Sequence, residues 1–380
     1  MWMMQRVFLW FSAWLALYVS GFACATTDPL PPGDEKPAPH IALLLPLKSD
    51  VFGPAADAVR QGFLAAAGVD ITNPRSLPVR VYGGFDEGND IVTLYLRAVA
   101  NGARAVVGPL TRNGVARLAA EKNLAVPTLA LNVAEQAAAP QLYFFGMAVE
   151  AEARQAAQLA RLEGMHQAIV IAAHTQLSRR LQFAFEEEWI ARGGTVLREI
   201  EFNGDTTAFA DIAAKPDTIV FLAADAATAR LVRPYLPNKL PIYATSQIFL
   251  GNAETLINYD LDGINFVDMP WLLQPDHAAV MSYPRPAAPL PIDLERFYAL
   301  GIDAFRLAQL MLDRKLDEAL PLDGVSGHIE LEGRFFLRNA IPAVFAQGLA
   351  QPPGAPRTLT APMFPGLIPA SAVPEAAPLQ

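Results

Sequence analysis

Short apolar runs without polar interruption alternate along this chain with longer stretches in which apolar residues recur every three or four positions. The runs are Ile41 to Leu47, Ala105 to Val107, Val126 to Leu131, Leu142 to Phe145, Ala168 to Ala173, Thr218 to Ala223 and Ile242 to Thr245. Runs of this kind suit strands covered by helices on both faces, hence parallel sheets. Val79 to Tyr82 and Thr195 to Phe202 interleave apolar and charged residues and are read as further strands. Between them, Ala56, Val59, Phe63 and Leu64 share one helical face, as do Val115, Leu118 and Ala119. Helices are predicted also over Ile91 to Ala100, Glu150 to Glu163, Ser178 to Arg192 and Ala226 to Tyr235. From Leu294 to Leu316 an amphipathic helix gathers Phe297, Leu300, Ala304, Leu307, Ala308, Met311 and Leu312 on one side. This alternation predicts an α/β fold of doubly wound sheets. A second round begins at Met147, so two Rossmann-like lobes follow one another.

The clearest unit is Ala103 to Asn132. Gly108-Pro109 ends its first strand, because proline gives no amide hydrogen to a ladder and glycine allows a sharp exit. Thr111 and Asn113 are candidate caps of the helix that follows. Such a unit crosses over right-handed. Its loops at Leu110–Asn113 and after Asn132 leave the carboxyl edge of the sheet, where open α/β sheets bind ligands. Taken singly, a unit like this is equally a piece of scaffold.

Ile264 to Asp268 with Met269-Pro270-Trp271 reads as a link between lobes, and Pro275 to Pro291 as a proline-rich loop. Gly324 to Leu337 reads as a hairpin turning at Glu332-Gly333. At the amino end, Arg6 precedes an uncharged apolar run from Val7 to Ala23, the pattern of an export signal over residues 1–25. Cys24, the chain's one cysteine, stands where that signal ends. It is read as a lipidation site; cleavage before Thr26 is the alternative. Residues 26–39 form a proline-rich tether, and 349–380 a disordered tail dominated by proline and alanine.

The apolar share, 52%, supplies ample core for two lobes in 380 residues. A net charge of −9 with no basic stripe argues against nucleic acid. His40, His166, His174, His277 and His328 are scattered without metal-ligand spacing. No phosphate loop, dinucleotide fingerprint, zinc-protease helix or nucleophile elbow occurs, so neither cofactor nor metal is expected and nothing argues for an enzyme.

The body resembles a type I periplasmic binding protein, two lobes hinged around a cleft in the Venus-flytrap manner. More narrowly it resembles the penicillin-binding protein activator family, outer-membrane lipoproteins of the LpoA or LppC type. The stretches that carry this are IALLLPL (41–47), VRQGF (59–63), VVGPLTRNGV (106–115), YATSQI (243–248), DLDGINFVDMPWLL (260–273), RFYALGIDAFRLA (296–308) and GVSGHIELEG (324–333). The long members of that family carry a helical-repeat half before this body; here no such period precedes His40. The resemblance implies residues 40–146 plus 268–323 as the first lobe and 147–267 plus 324–348 as the second. It implies a periplasmic protein held at the outer membrane through Cys24, which stimulates a class A penicillin-binding protein, a peptidoglycan synthase, by protein contacts. The alternative is a solute receptor for an amino acid or small peptide. By analogy with binding proteins, the cleft candidates are Leu110, Thr111, Asn132, Phe145, Thr175, Asp225, Thr245, Ser246 and Trp271, with His174 a loop residue beside them. Thr111, Asn132, Thr175 and Ser246 are suited to a ligand carboxylate, and for each of these hydroxyls and amides the competing reading is a helix cap; Asp225 is suited to an ammonium. Trp271 reads first as hinge packing.

Overall fold

His40–Leu45 (β1) is buried at every position, and so it pairs on both edges. On one edge it meets Val79–Gly83 (β2), on the other Ala103–Val107 (β3), both in parallel. The structure, a computed structural model, describes residues 37–133, 139–253 and 255–354. Thr128–Ala130 (β4) and Leu142–Phe145 (β5) extend the first sheet beyond β3. The second sheet is built from Gln167–Ala173 (β6), Thr195–Phe202 (β7), Thr218–Ala223 (β8), Ile242–Ala244 (β9) and Ile264–Asp268 (β10), again parallel. The strand orders β5-β4-β3-β1-β2 and β10-β9-β8-β6-β7 repeat one topology. Each therefore has its switch point between its first and third strands, where crossovers diverge and open a crevice.

Gly53–Val69 (α1), Glu87–Ala100 (α2) and Arg112–Ala119 (α3) flank the first sheet, and Val149–Leu162 (α4), Gln176–Ala191 (α5) and Ala226–Val232 (α6) the second. The long helix Ile292–Asp313 is buried without a break from Tyr298 to Phe305, so it is enclosed on most sides rather than along one stripe. It packs against α1 at backbone distance. A Cβ on Gly62 would stand 1.9 Å from the Tyr298 carbonyl oxygen, and one on Gly301 would stand 2.2 Å from that of Val59.

Three expectations need correction. Ile264–Asp268 is no linker but the strand β10, whose Phe266 lies among Phe249 and Phe345. Its apolar run is short, and the Met-Pro-Trp that follows drew the reading toward a joint. Second, the hairpin after Gly324 belongs to the first sheet, not the second lobe. Leu322–Asp323 (β11), His328–Glu332 (β12) and Phe335–Asn339 (β13) add to β5 through parallel pairing of Phe335 with Phe144 and Phe336 with Phe145. Stacking of Phe144 on Phe335, 4.9 Å between centroids, fixes that edge. Third, the expected tail begins too early. Ile341–Ala346 (β14) pairs with β10, and Leu349–Gln351 (β15) folds back on β14 through a turn in which Gln347 and Gly348 both have positive φ. The signal, Cys24 and most of the tether lie outside the described residues, as does the tail from residue 355.

The chain thus crosses between sheets after β5, after β10 and at Ala340 between β13 and β14. Leu44, in mid-β1, packs with Tyr82 and Ile91 and is fully buried. Leu44→Asp is expected to prevent folding, since an unpaired buried carboxylate costs several kcal/mol, comparable with a domain's whole stability. A native circular dichroism spectrum with a cooperative melt in that variant would contradict this.

Candidate functional site

The switch point of the first lobe opens into a cavity of about 640 Å³. Its walls come from the loop after β1, the start of α2 and the loops after β3 and β4, with Phe52, Phe85, Leu110, Thr111, Asn132 and Phe297 among them. Gly108 turns the chain out of β3 at φ +108°, where a Cβ would sit 2.0 Å from the Leu44 carbonyl oxygen. Thr111 caps α3, its Oγ1 accepting from Gly114 N at 3.1 Å. Asn132 Nδ2 donates to the Leu110 carbonyl at 3.0 Å and braces the same loop.

In such a crevice, loop amides before a helix are a ready anion site. Here they are already filled. Glu87, at the start of α2 and only 2% exposed, accepts from Leu110 N at 2.9 and 3.0 Å and from Thr111 N at 2.6 Å. Gly114 makes room for it, because a Cβ there would come 2.7 Å from that of Glu87. Burial pushes the Glu87 carboxyl up, against the pull of those amides. The floor of the cavity is thus a carboxylate of the chain itself.

The other expected cleft residues fall elsewhere. Thr175 and Asp225 are exposed caps, of α5 and α6, accepting from Ser178 N at 3.0 Å and Thr228 N at 2.8 Å. His174 is exposed and meets Glu201 at 2.5 Å. Phe145 is core, edge-on to Phe336. Trp271 is fully buried under Arg285, 4.0 Å from its ring, and donates to Glu295 at 2.6 Å, so it packs at the hinge. Thr245 and Ser246 are buried as well, and no ligand can reach them there. The reason is a polar chain that runs through the hinge.

That chain begins on the long helix of the first lobe. Asp303 accepts from Ser326 Oγ at 2.6 Å, and the Ser326 carbonyl accepts from Arg338 Nη1 at 3.0 Å. Arg338 Nη2 then crosses to Glu152 of α4, in the second lobe, at 2.9 Å. Glu152 accepts from Ser246 N at 3.1 Å, and the Ser246 carbonyl accepts from Arg296 Nη2 at 3.0 Å, back on the long helix. Arg296 also grips Asp268, the last residue of β10, through two bonds of 3.2 and 2.6 Å. All seven are buried. Burial alone would pull the Arg296 guanidinium down; the carboxylates of Asp268, Glu152 and Asp293, Asp268 foremost, together more than reverse this and hold it above its ordinary value. Beside the chain, Gln155 of α4 exchanges two hydrogen bonds with the backbone of Ala340, at 2.6 and 3.0 Å. The crossings after β10 and at Ala340 are therefore clamped.

Reading the sequence missed Glu87, Glu152, Asp268, Arg296, Asp303 and Arg338. A signal existed in one case: Arg296 and Asp303 stand two turns apart inside the long, largely apolar helix, which places both charges on one buried face. Among the described residues no group of three or more His, Cys, Asp or Glu could hold a metal, and no helix is long and apolar enough to cross a membrane.

A family model described as "LppC putative lipoprotein" matches residues 34–215 and 205–338. Among curated proteins, the chain is similar to penicillin-binding protein activator LpoA of Yersinia pseudotuberculosis serotype O:1b (strain IP 31758), 24% identical over 405 residues, covering 82% of this chain and 60% of the relative. The LpoA of Haemophilus influenzae (strain ATCC 51907 / DSM 11121 / KW20 / Rd) is 26% identical over 301 residues, 76% of this chain and 50% of the relative. The chain thus spans 60% or less of the length of these relatives. Among solved structures, one described as a "putative branched-chain amino acid ABC transporter" from Chromobacterium violaceum ATCC 12472 is 40% identical, with a TM-score of 0.71 over 81% of this chain and 100% of that one. The LpoA C-domain from Haemophilus influenzae, "a regulator of PBP1A", is 24% identical with a TM-score of 0.67 over 83% of this chain and 99% of that one.

Proposed function

This chain belongs to the LppC lipoprotein family, and on that premise we propose that it is a non-enzymatic activator of a class A penicillin-binding protein. It acts through protein contacts on a binding-protein-like body, tethered from the periplasmic side to the outer membrane by a lipid on Cys24. The names of its curated relatives support the partner. The observation that carries the reading is Glu87. Where a solute receptor would present amides to a ligand's carboxylate, this chain has placed its own. The clamped hinge points the same way, because a receptor must close around its ligand and a docking body need not.

A second reading, a receptor for an amino acid or small peptide, draws on the Chromobacterium violaceum structure and its description. The two readings separate in solution. Ligand at a hundred times its Kd stabilises a receptor by about 2.7 kcal/mol. We expect no shift of the melt across a panel of amino acids and short peptides. With a class A penicillin-binding protein of the same cell, the purified chain is expected to form a complex and to raise its glycan-polymerising or crosslinking rate. A ligand-dependent melt together with no binding and no stimulation overturns the proposal. Cys24→Ser is expected to move the protein from the membrane to the soluble periplasmic fraction; unchanged membrane fractionation would remove the anchor from it.

A further inference from the structure

The parallel amino-terminal ends of α4 and α5 enclose a groove of about 390 Å³ lined by Glu150, Arg154, Gln176, Arg179, Arg180 and Phe183. From the first lobe, Arg112 reaches the same place and donates to Glu150 at 3.0 Å. We propose that this groove is the surface through which the chain grips an acidic segment of its partner synthase; the inference rests on the activator reading and gives it a location.

The argument is from charge and residue type. The chain as a whole carries −9, yet four guanidinium groups converge here. The carboxylates that meet them are three. Glu150 is shared by Arg112 and Arg180. Arg154 meets Glu187 at 2.9 Å, and Arg179 meets Glu201 only at 3.8 Å. In these last two pairs every side chain is 40% exposed or more, so each contributes little to folding and exchanges readily for an incoming carboxylate. Guanidinium forks match carboxylates two bonds at a time. Phe183 stands among them 68% exposed, an apolar ring that no described element covers. Arginine and aromatic residues are the types that dominate protein interfaces. A lone small anion would meet only one or two of the arginines, whereas a peptide segment bearing several acids and an apolar side chain would meet all four and the ring.

The test uses the full chain and the synthase, with binding measured at rising salt. Arg154→Glu, Arg179→Glu and their double variant are expected to weaken the complex about tenfold per reversal. Phe183→Ser is expected to weaken it by a similar factor. All should melt like the wild type, because the altered side chains are exposed, and Lys122→Glu should bind like the wild type. Wild-type affinity should fall steeply with salt. If the wild type binds and stimulates the synthase and the variants do so equally, the groove is wrong and the activator reading stands. If the wild type neither binds nor stimulates it, both fall. Sedimentation with purified sacculi is the remaining arm: variants that lose the sacculi but keep the synthase would show that the groove takes the anionic wall polymer, and would overturn the protein occupant.

Discussion

Replacing Arg338 by methionine is expected to cost about 3–5 kcal/mol of stability, because it leaves the Glu152 carboxylate buried without its counter-charge. Both side chains are almost wholly enclosed, 3% and 5% exposed, and the pair bridges the two lobes. Changing both ends behaves differently. Arg338→Met with Glu152→Gln removes the stranded charge, keeps an acceptor for Ser246 N, and is expected to recover most of the loss. Denaturant midpoints for the two single variants and the double close a thermodynamic cycle. A loss below about 1 kcal/mol in Arg338→Met would place the pair in the class of exposed, weak bridges and would remove the clamp from the hinge. The same variants report on function. If, as proposed, the chain activates a synthase by docking and rigidity serves that docking, the double variant should stimulate it less than its melting temperature alone predicts.

The second large effect lies where α1 meets the long helix. Gly62→Val is expected to cost about 3 kcal/mol or more, above the usual range for overpacking. The atom in the way is a backbone oxygen, that of Tyr298, and not the movable end of a side chain. Gly301 makes the reciprocal approach to Val59, so separating the helices to admit one side chain breaks both contacts. Gly68, near the end of the same helix, has nothing within 4 Å of a Cβ. Gly68→Ala should therefore gain up to about 1 kcal/mol from helix propensity alone. Thermal melts of the two variants decide this. Equal effects at Gly62 and Gly68 would mean that the helices do not touch as closely as described.

How much of this was legible in the sequence depended on whether a contact is local. The strands Leu142–Phe145, Thr195–Phe202 and Thr218–Ala223 were placed at their observed bounds, because an apolar or alternating run between turn residues is a local signal. The hairpin His328–Asn339 was seen, but not its sheet. Its partner β5 lies almost two hundred residues away, and the choice rests on Phe144 meeting Phe335. The site followed the same rule. Thr111 and Thr175 are caps, as the competing reading held, because a cap is written within four residues; Asp225 is a cap too, where an ammonium partner was expected. Glu87 against Leu110, Glu152 against Arg338 and Asp268 against Arg296 join residues 23, 186 and 28 positions apart, and no spacing announces them. Ser246 looked available because hydroxyl residues after a strand usually are; it is buried because Glu152 and Arg296 hold its peptide from both sides.

The three crossings between the sheets have a consequence for anyone cutting the gene. Each lobe is assembled from chain segments that are not neighbours in sequence, so a stop codon or a fusion joint placed after Gly146 would separate β5 from the strand β13 that completes its edge. A lone half made that way would expose an unpaired strand and aggregate. Limited digestion within one lobe should accordingly leave a nicked but associated particle rather than release a soluble fragment. Exchange of parts with longer relatives would have to move the body as a single cassette.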